Sequence, residues 1–195
     1  MVAQMNQGRF PRILGIDPGS RVIGFALMEA KKLVPRSPKD WMVVDVGVVR
    51  ASTSLTMVDR ICEIHDAFYG LIHELMPTLV GIERVFQGVN PSSTIKLSEA
   101  RGALISAVGR HKIPVREITP AEVKRIVAGN GAATKEQVYQ CLQALMSFDK
   151  GRLPLDASDA LGIAFSVSIL HPHPVRSNMV DLSFSSSLKN AQLPK

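Results

Sequence analysis

The sequence predicts an α/β domain: a mixed five-stranded sheet flanked by helices, with the first three strands antiparallel and the last two parallel. Three observations carry this. Three apolar segments, residues 12–17, 21–29 and 41–50, follow one another with only a turn or a polar loop between them, as hairpin-joined strands do. Two short apolar runs, residues 79–85 and 114–118, each follow a helix-periodic segment long enough to be a crossover. The 195 residues, 46% hydrophobic and 21% charged, suit one globular domain with a substantial core.

Residues 1–11 are polar and are expected to be a flexible N-terminus. Residues 12–17 (RILGID) are nearly continuously apolar, as a strand buried on both faces is. Asp17-Pro18-Gly19-Ser20 is turn chemistry, so the 21–29 strand is its antiparallel neighbour. The loop 31–40 (KKLVPRSPKD) is polar and contains proline, and the third strand follows it. Val58, Ile61, His65, Phe68, Ile72 and Leu75 recur at three and four, an amphipathic helix that Pro77 ends, with His65 as a packed histidine. Residues 92–110 form a helix with a stripe of small residues, Ala100, Ala103 and Ala107, beside Gly102. Thr119-Pro120-Ala121-Glu122 is a capping box with proline at the first helical position, and Gly129 stops that helix. Thr134 to Gln137 is a second capping box opening a helix to about residue 146, and a last helix covers 156–170. The folded domain is therefore 12–170, and 171–195 is a polar tail expected to be disordered.

Several classes are disfavoured. The first residues lack the apolar core of a secretory signal. The longest apolar stretch, near 161–170, is too short to span a bilayer, so no membrane partner and a cytoplasmic location are expected. Cys62 and Cys141 form no C-x-x-C pair and read as small core residues in a reducing compartment. The net charge of +6 favours a polyanionic partner.

The acids near strand ends point to chemistry. Asp17 ends the first strand and Glu83 the fourth, while Asp156 and Asp159 share one face of the last helix. Each has a plain structural alternative, a turn cap for Asp17 and helix-dipole complementarity for the last pair. Together in one cleft they repel: two like charges ~4 Å apart cost about 4 kcal/mol at an effective dielectric near 20. Such a cluster needs protons or cations, and an all-oxygen donor set suits Mg²⁺, or Mn²⁺ in its place, rather than zinc. Two Mg²⁺ ions about 3.5–4 Å apart suit phosphoryl transfer. Lys124 and Lys135 lie in the two capped helices, and Gly129-Asn130-Gly131 with the helix start after it offers amides for phosphate. Arg84, Lys96 and Arg101 follow the fourth strand. For each of these cations a solvated helix face is the alternative. Phe86, just past that strand, is either core or an aromatic that stacks on an unpaired base, worth ~1–3 kcal/mol per base.

With those residues assembled, the chain resembles the RuvC-type Holliday junction resolvases over roughly residues 12–170. The segments that carry the likeness are ILGIDPGSRVIGFAL, IERVFQGVNPSSTIKLSEARG, EITPAEVKRIVAGNGAATKEQV and DASDALGIA, in family order. The resemblance implies a ribonuclease-H-like fold and a homodimer. It also implies Mg²⁺-dependent, symmetric nicking of two strands of like polarity at a four-way DNA junction in recombination and repair, leaving 5′-phosphate and 3′-hydroxyl ends. It makes Asp17, Glu83, Asp156 and Asp159 the catalytic, metal-binding acids, and the mechanism expected from them has Asp17 shared between two ions. Asp156 is the more replaceable of its pair, being histidine in some relatives. It places Lys124 and Lys135 on DNA, Lys135 near the scissile phosphate, and Phe86 at the junction centre. It implies a branch-migration complex as partner, the RuvA platform and RuvB motor. The loop 31–40 and the tail depart from the family. Three rivals remain. One is a related ribonuclease-H-like nuclease acting on structured RNA. One is a sugar-kinase or actin-like ATPase, which needs a second glycine-rich loop and a longer chain. The last is a non-catalytic junction binder, which has no use for four acids.

Overall fold

The computed structural model describes residues 10–85, 90–146 and 153–171. Phe86, nearly all of the N-terminal segment and the tail from 172 lie outside the described residues. The elements are β1 (Arg12–Asp17), β2 (Val22–Ala30), β3 (Trp41–Arg50), α1 (Met57–Leu75), β4 (Leu79–Glu83), α2 (Pro91–Arg110), β5 (Val115–Ile118), α3 (Pro120–Ala128), α4 (Lys135–Met146) and α5 (Leu155–Leu170). The sheet order is β3-β2-β1-β4-β5. β1 pairs antiparallel with β2 and β2 with β3; β4 runs parallel to β1, and β5 parallel to β4. This is the mixed five-stranded sheet the sequence predicts.

Alternation along the strands sends side chains to two cores. On one face Leu14, Ile16, Val80 and Ile82 meet Ile64, Phe68 and Ile72 of α1 and Ala100, Leu104 and Ala107 of α2. On the other, Ile13, Ala26, Met28 and Leu79 meet α3, α4 and α5. Asp17 and Glu83 have the parity of Ile13 and Leu79, so both face the α5 side.

Three glycines seat α5 on that face. A Cβ on Gly24 would lie 1.9 Å from the Asp156 carbonyl oxygen, one on Gly15 2.1 Å from that of Ala160, and one on Gly81 2.8 Å from Val167. Gly15 is the register partner of Gly81 across β1 and β4, and Gly24 that of Asp17 across β1 and β2. The three make a shallow diagonal groove over β2, β1 and β4, and successive turns of α5 lie in it. α5 is buried almost continuously from Ala157 to Ser168.

The helix boundaries have visible causes. Thr119 Oγ1 accepts the Glu122 amide at 3.2 Å and Glu122 accepts the Thr119 amide at 2.8 Å, the predicted capping box. Thr134 and Gln137 do the same for α4, with bonds of 2.9 and 3.2 Å. Gly129 ends α3 in the left-handed region at φ 73°.

Two expectations are corrected, for the α1 stripe and for Cys62. The buried stripe of α1 is Arg60, Ile64, Phe68, Ile72 and Leu75, while Val58 is exposed and His65 only partly buried. Arg60 is buried because its guanidinium donates to the carbonyls of Ser52, Thr53 and Leu55 at 2.9, 3.3 and 3.1 Å. Cys62 is exposed rather than core, one step off that stripe. The polar loop contains a 3-10 turn, Pro38–Asp40, where Asp40 Oδ2 accepts the amides of Arg36 and Ser37.

Candidate active site

The site is built where β1 and β4 end side by side. Ile16 pairs with Ile82, so Asp17 and Glu83 are the next residues on two adjacent parallel strands, on the same face. The glycine seat brings the first turn of α5 to the same edge, and with it Asp156 and Asp159. All four carboxylates are half-buried.

The electrostatics show an unmet demand for positive charge. Burial pushes the Asp17 carboxyl up to about 8, and Glu83, Asp159 and Asp156 add to the rise against the opposing pull of Lys135. Burial, then the Asp159 charge, also raises Glu83 above its ordinary value. Lys135, the first residue of α4, donates its ammonium to Asp159 Oδ2. Burial works against the Lys135 charge, but the hydrogen bond to Asp159 and the charges of Asp159, Asp17 and Asp156 outweigh it and raise its pKa.

The predicted cations fall into different settings. Arg101 is turned inward: its Nε donates to the Glu83 carbonyl oxygen at 3.1 Å and its Nη2 to Glu117 Oε1 at 2.6 Å. Arg84 is exposed and meets the other Glu117 oxygen at 3.4 Å. Lys96 is exposed on the second turn of α2, and Lys124 is half-buried on α3. The phosphate site expected before α4 is largely spent on internal bonds. Asn130 Oδ1 takes the Ala132 amide, the Asn130 carbonyl takes that of Ala133, and Gln137 takes that of Thr134.

The donor set fits a divalent cation in chemistry: hard carboxylate oxygens, and a buried Asp17 that holds its proton without added positive charge. The four-acid cage is nevertheless not closed. Among the described residues no three His, Cys, Asp or Glu side chains are positioned to hold a metal as the chain stands. The ammonium of Lys135 takes up Asp159 instead.

Sequence reasoning missed the seat for α5, although its signal is present. Gly15-Ile16-Asp17 and Gly81-Ile82-Glu83 share one pattern, a glycine two residues before the acid on both strands. It also missed that Arg101 braces β4 through Glu117.

Comparisons with known proteins agree with this architecture. The family model described as crossover junction endodeoxyribonuclease RuvC matches residues 13–167. A curated relative of that name from Burkholderia mallei is 41% identical over 162 residues, covering 83% of each chain. Among solved structures, T. thermophilus RuvC in complex with a Holliday junction substrate superposes with a TM-score of 0.73 at 26% identity, over 82% of this chain and 94% of that one. A yeast mitochondrial Holliday junction resolvase, at 12% identity, has a TM-score of 0.60 over 81% of this chain and 78% of its own, a likeness of fold.

Proposed function

The chain belongs to the crossover junction endodeoxyribonuclease RuvC family, and from that premise we propose that its four acids, two at strand ends and two on α5, serve to cut the phosphodiester backbone of a four-way DNA junction. The chain is a nuclease of the metal-dependent, junction-resolving kind. The observation that carries the assignment is the placement of Asp17 and Glu83 on adjacent strands, half-buried and short of positive charge, under the first turn of α5.

Asp17, Glu83, Asp156 and Asp159 would hold Mg²⁺, two ions per site, with Mn²⁺ as a substitute. Bound there, the cations supply Lewis-acid stabilisation of the charge that develops on the phosphate. The chain's residues do the rest. Asp17 and Glu83 are fixed by strand pairing, and Asp156 and Asp159 by the glycine seat, so little reorganisation is needed at the moment of reaction. The ammonium of Lys135 is within reach of the site and is a natural partner for a phosphate oxygen. Lys124, Lys96 and Arg84 are placed to grip the backbone. Arg101, committed to Glu83 and Glu117, suits holding the end of β4 better than contacting phosphate. Phe86 keeps its role as an aromatic wedge at the junction centre by resemblance alone.

A homodimer would present two such sites to strands of like polarity, and symmetric nicking leaving 5′-phosphate and 3′-hydroxyl ends follows from that arrangement. A RuvA platform and RuvB motor are the partners this reading implies, in the cytoplasm. Among the described residues no helix is long and apolar enough to cross a membrane.

The test is cleavage of a synthetic labelled four-way junction in Mg²⁺, with structured RNA alongside. Junction cleavage lost in Asp17→Asn supports the reading. Preferential cutting of RNA, or full activity of the variant, overturns it.

A further inference from the structure

The lysine bonded to Asp159 carries an inference that rests on the reading of the four acids as metal ligands. Lys135 is the first residue of α4, where the helix dipole disfavours a cation by about 0.3–1 kcal/mol. Its own helix therefore does not account for its position. Its partner does: among the described residues, the ammonium that hydrogen-bonds and ion-pairs with the four-acid pocket is that of Lys135, on Asp159. The two partners differ in freedom. The Asp159 side chain is 22% exposed and stands on α5, which the glycines hold against the sheet; the Lys135 side chain is 61% exposed at the end of a flexible stem. If one of them moves, it is Lys135.

We infer that Lys135 stands in for the divalent cation while DNA is absent, occupying Asp159, and gives that carboxylate up when a backbone phosphate offers the ammonium another anion. Lys135 thereby links metal loading to substrate binding. Released, Asp159 adds its oxygens to those of Asp17 and Glu83 and closes the cage that stands open in the chain alone. A nuclease arranged this way is poorly loaded with metal until it holds a backbone to cut. Because binding couplings are reciprocal, the metal tightens the grip on DNA by the same factor.

Ca²⁺ titrated calorimetrically, above the pH at which Asp17 ionises, tests this without reading activity. The proteins are the full chain, Lys135→Met, Lys124→Met and the double variant Lys135→Met/Asp159→Asn. Each is titrated with and without a four-way junction whose integrity is checked on a gel. In the absence of DNA, Lys135→Met should bind Ca²⁺ at least about tenfold more tightly than the unaltered protein. Lys124→Met should show no gain, and the double variant should lose the gain. The junction should raise Ca²⁺ affinity strongly in the unaltered protein and much less in Lys135→Met. Equal Ca²⁺ affinity in Lys135→Met and the unaltered protein overturns the inference. An equal gain in Lys124→Met also overturns it, because the effect would then be the general field rather than this contact. Absence of Ca²⁺ binding in every protein, with and without junction, instead overturns the assignment of the acids as ligands.

Discussion

Glu83 and Glu117 lie on adjacent parallel strands, one step apart in register, and their carboxyls are pushed in opposite directions. Glu117 accepts a hydrogen bond from Arg101 and is flanked by Arg84, and its carboxyl titrates below its ordinary value. Glu83, half-buried and near the Asp159 charge, titrates above its own. The same side chain on the same sheet is thus satisfied in one place and left in want in the other. The satisfied carboxylate braces the fold. On the proposed reading, the unsatisfied one waits for a cation from outside the chain. A buried acid without a partner is expensive to keep, and a fold retains it where function uses the shortfall.

The contrast can be broken at its centre. Asp17→Asn removes the most strongly perturbed acid and should lower junction cleavage by at least about 1,000-fold while junction affinity on a gel changes little. The second prediction leaves every acid in place. Gly24→Ala sets a Cβ against the Asp156 carbonyl and should cost about 3 kcal/mol in thermal unfolding, with cleavage falling as α5 lifts. Gly102→Ala, in α2 with nothing near its Cβ, should instead stabilise by up to about 1 kcal/mol.

On the satisfied side, Arg101→Met unties Glu83 from Glu117 and should cost about 1–3 kcal/mol by chemical denaturation. The pH dependences of the two sides have opposite signs. The folded, metal-free chain holds a proton on Asp17 up to about 8, against an ordinary value of 3.8. Folding therefore binds more protons than unfolding across that window, and stability without metal falls as pH rises through it. Asp17→Asn should flatten that slope. Glu117 is depressed, so its contribution is present above its ordinary 4.5 and is lost as pH falls, and Glu117→Gln should remove that acid-side loss. Metal affinity should rise about tenfold per pH unit until Asp17 ionises near 8, because binding displaces its proton. Calorimetry at stepped pH measures it.

The order of strands and helices was readable because hairpins, capping boxes and crossovers announce themselves locally. Thr119–Glu122 and Thr134–Gln137 pair as their spacing requires. Asp17 and Glu83 were readable as neighbours because a fourth strand reached by a crossover pairs parallel with the first. The buried face of α1 was read correctly at Phe68, Ile72 and Leu75 but misread in its first half, because Val58 and Ile61 are apolar beside Arg60 and Ile64. Arg60 also conceals its burial: nothing in the sequence says that its charge will be met by three carbonyls. The direction of Arg101 and the bond between Lys135 and Asp159 depend on side-chain conformers across three elements, which local patterns do not encode. The glycine seat was legible in principle. It was passed over because a strand glycine is read as a weakness unless the helix that needs its missing Cβ is already in view.

That seat also governs when the enzyme comes into being. The sheet residues that receive α5 lie near the start of the chain and in its middle, while Asp156 and Asp159 belong to the last described helix. On a ribosome, strands β1 to β5 can emerge with their groove empty and only two of the four acids assembled. On the proposed assignment, no cutting centre exists until nearly the whole domain has been made and its last helix has settled across strands synthesised long before. On the proposed assignment of the acids, the capacity to cut a DNA junction thus arrives only once the last described helix has been made.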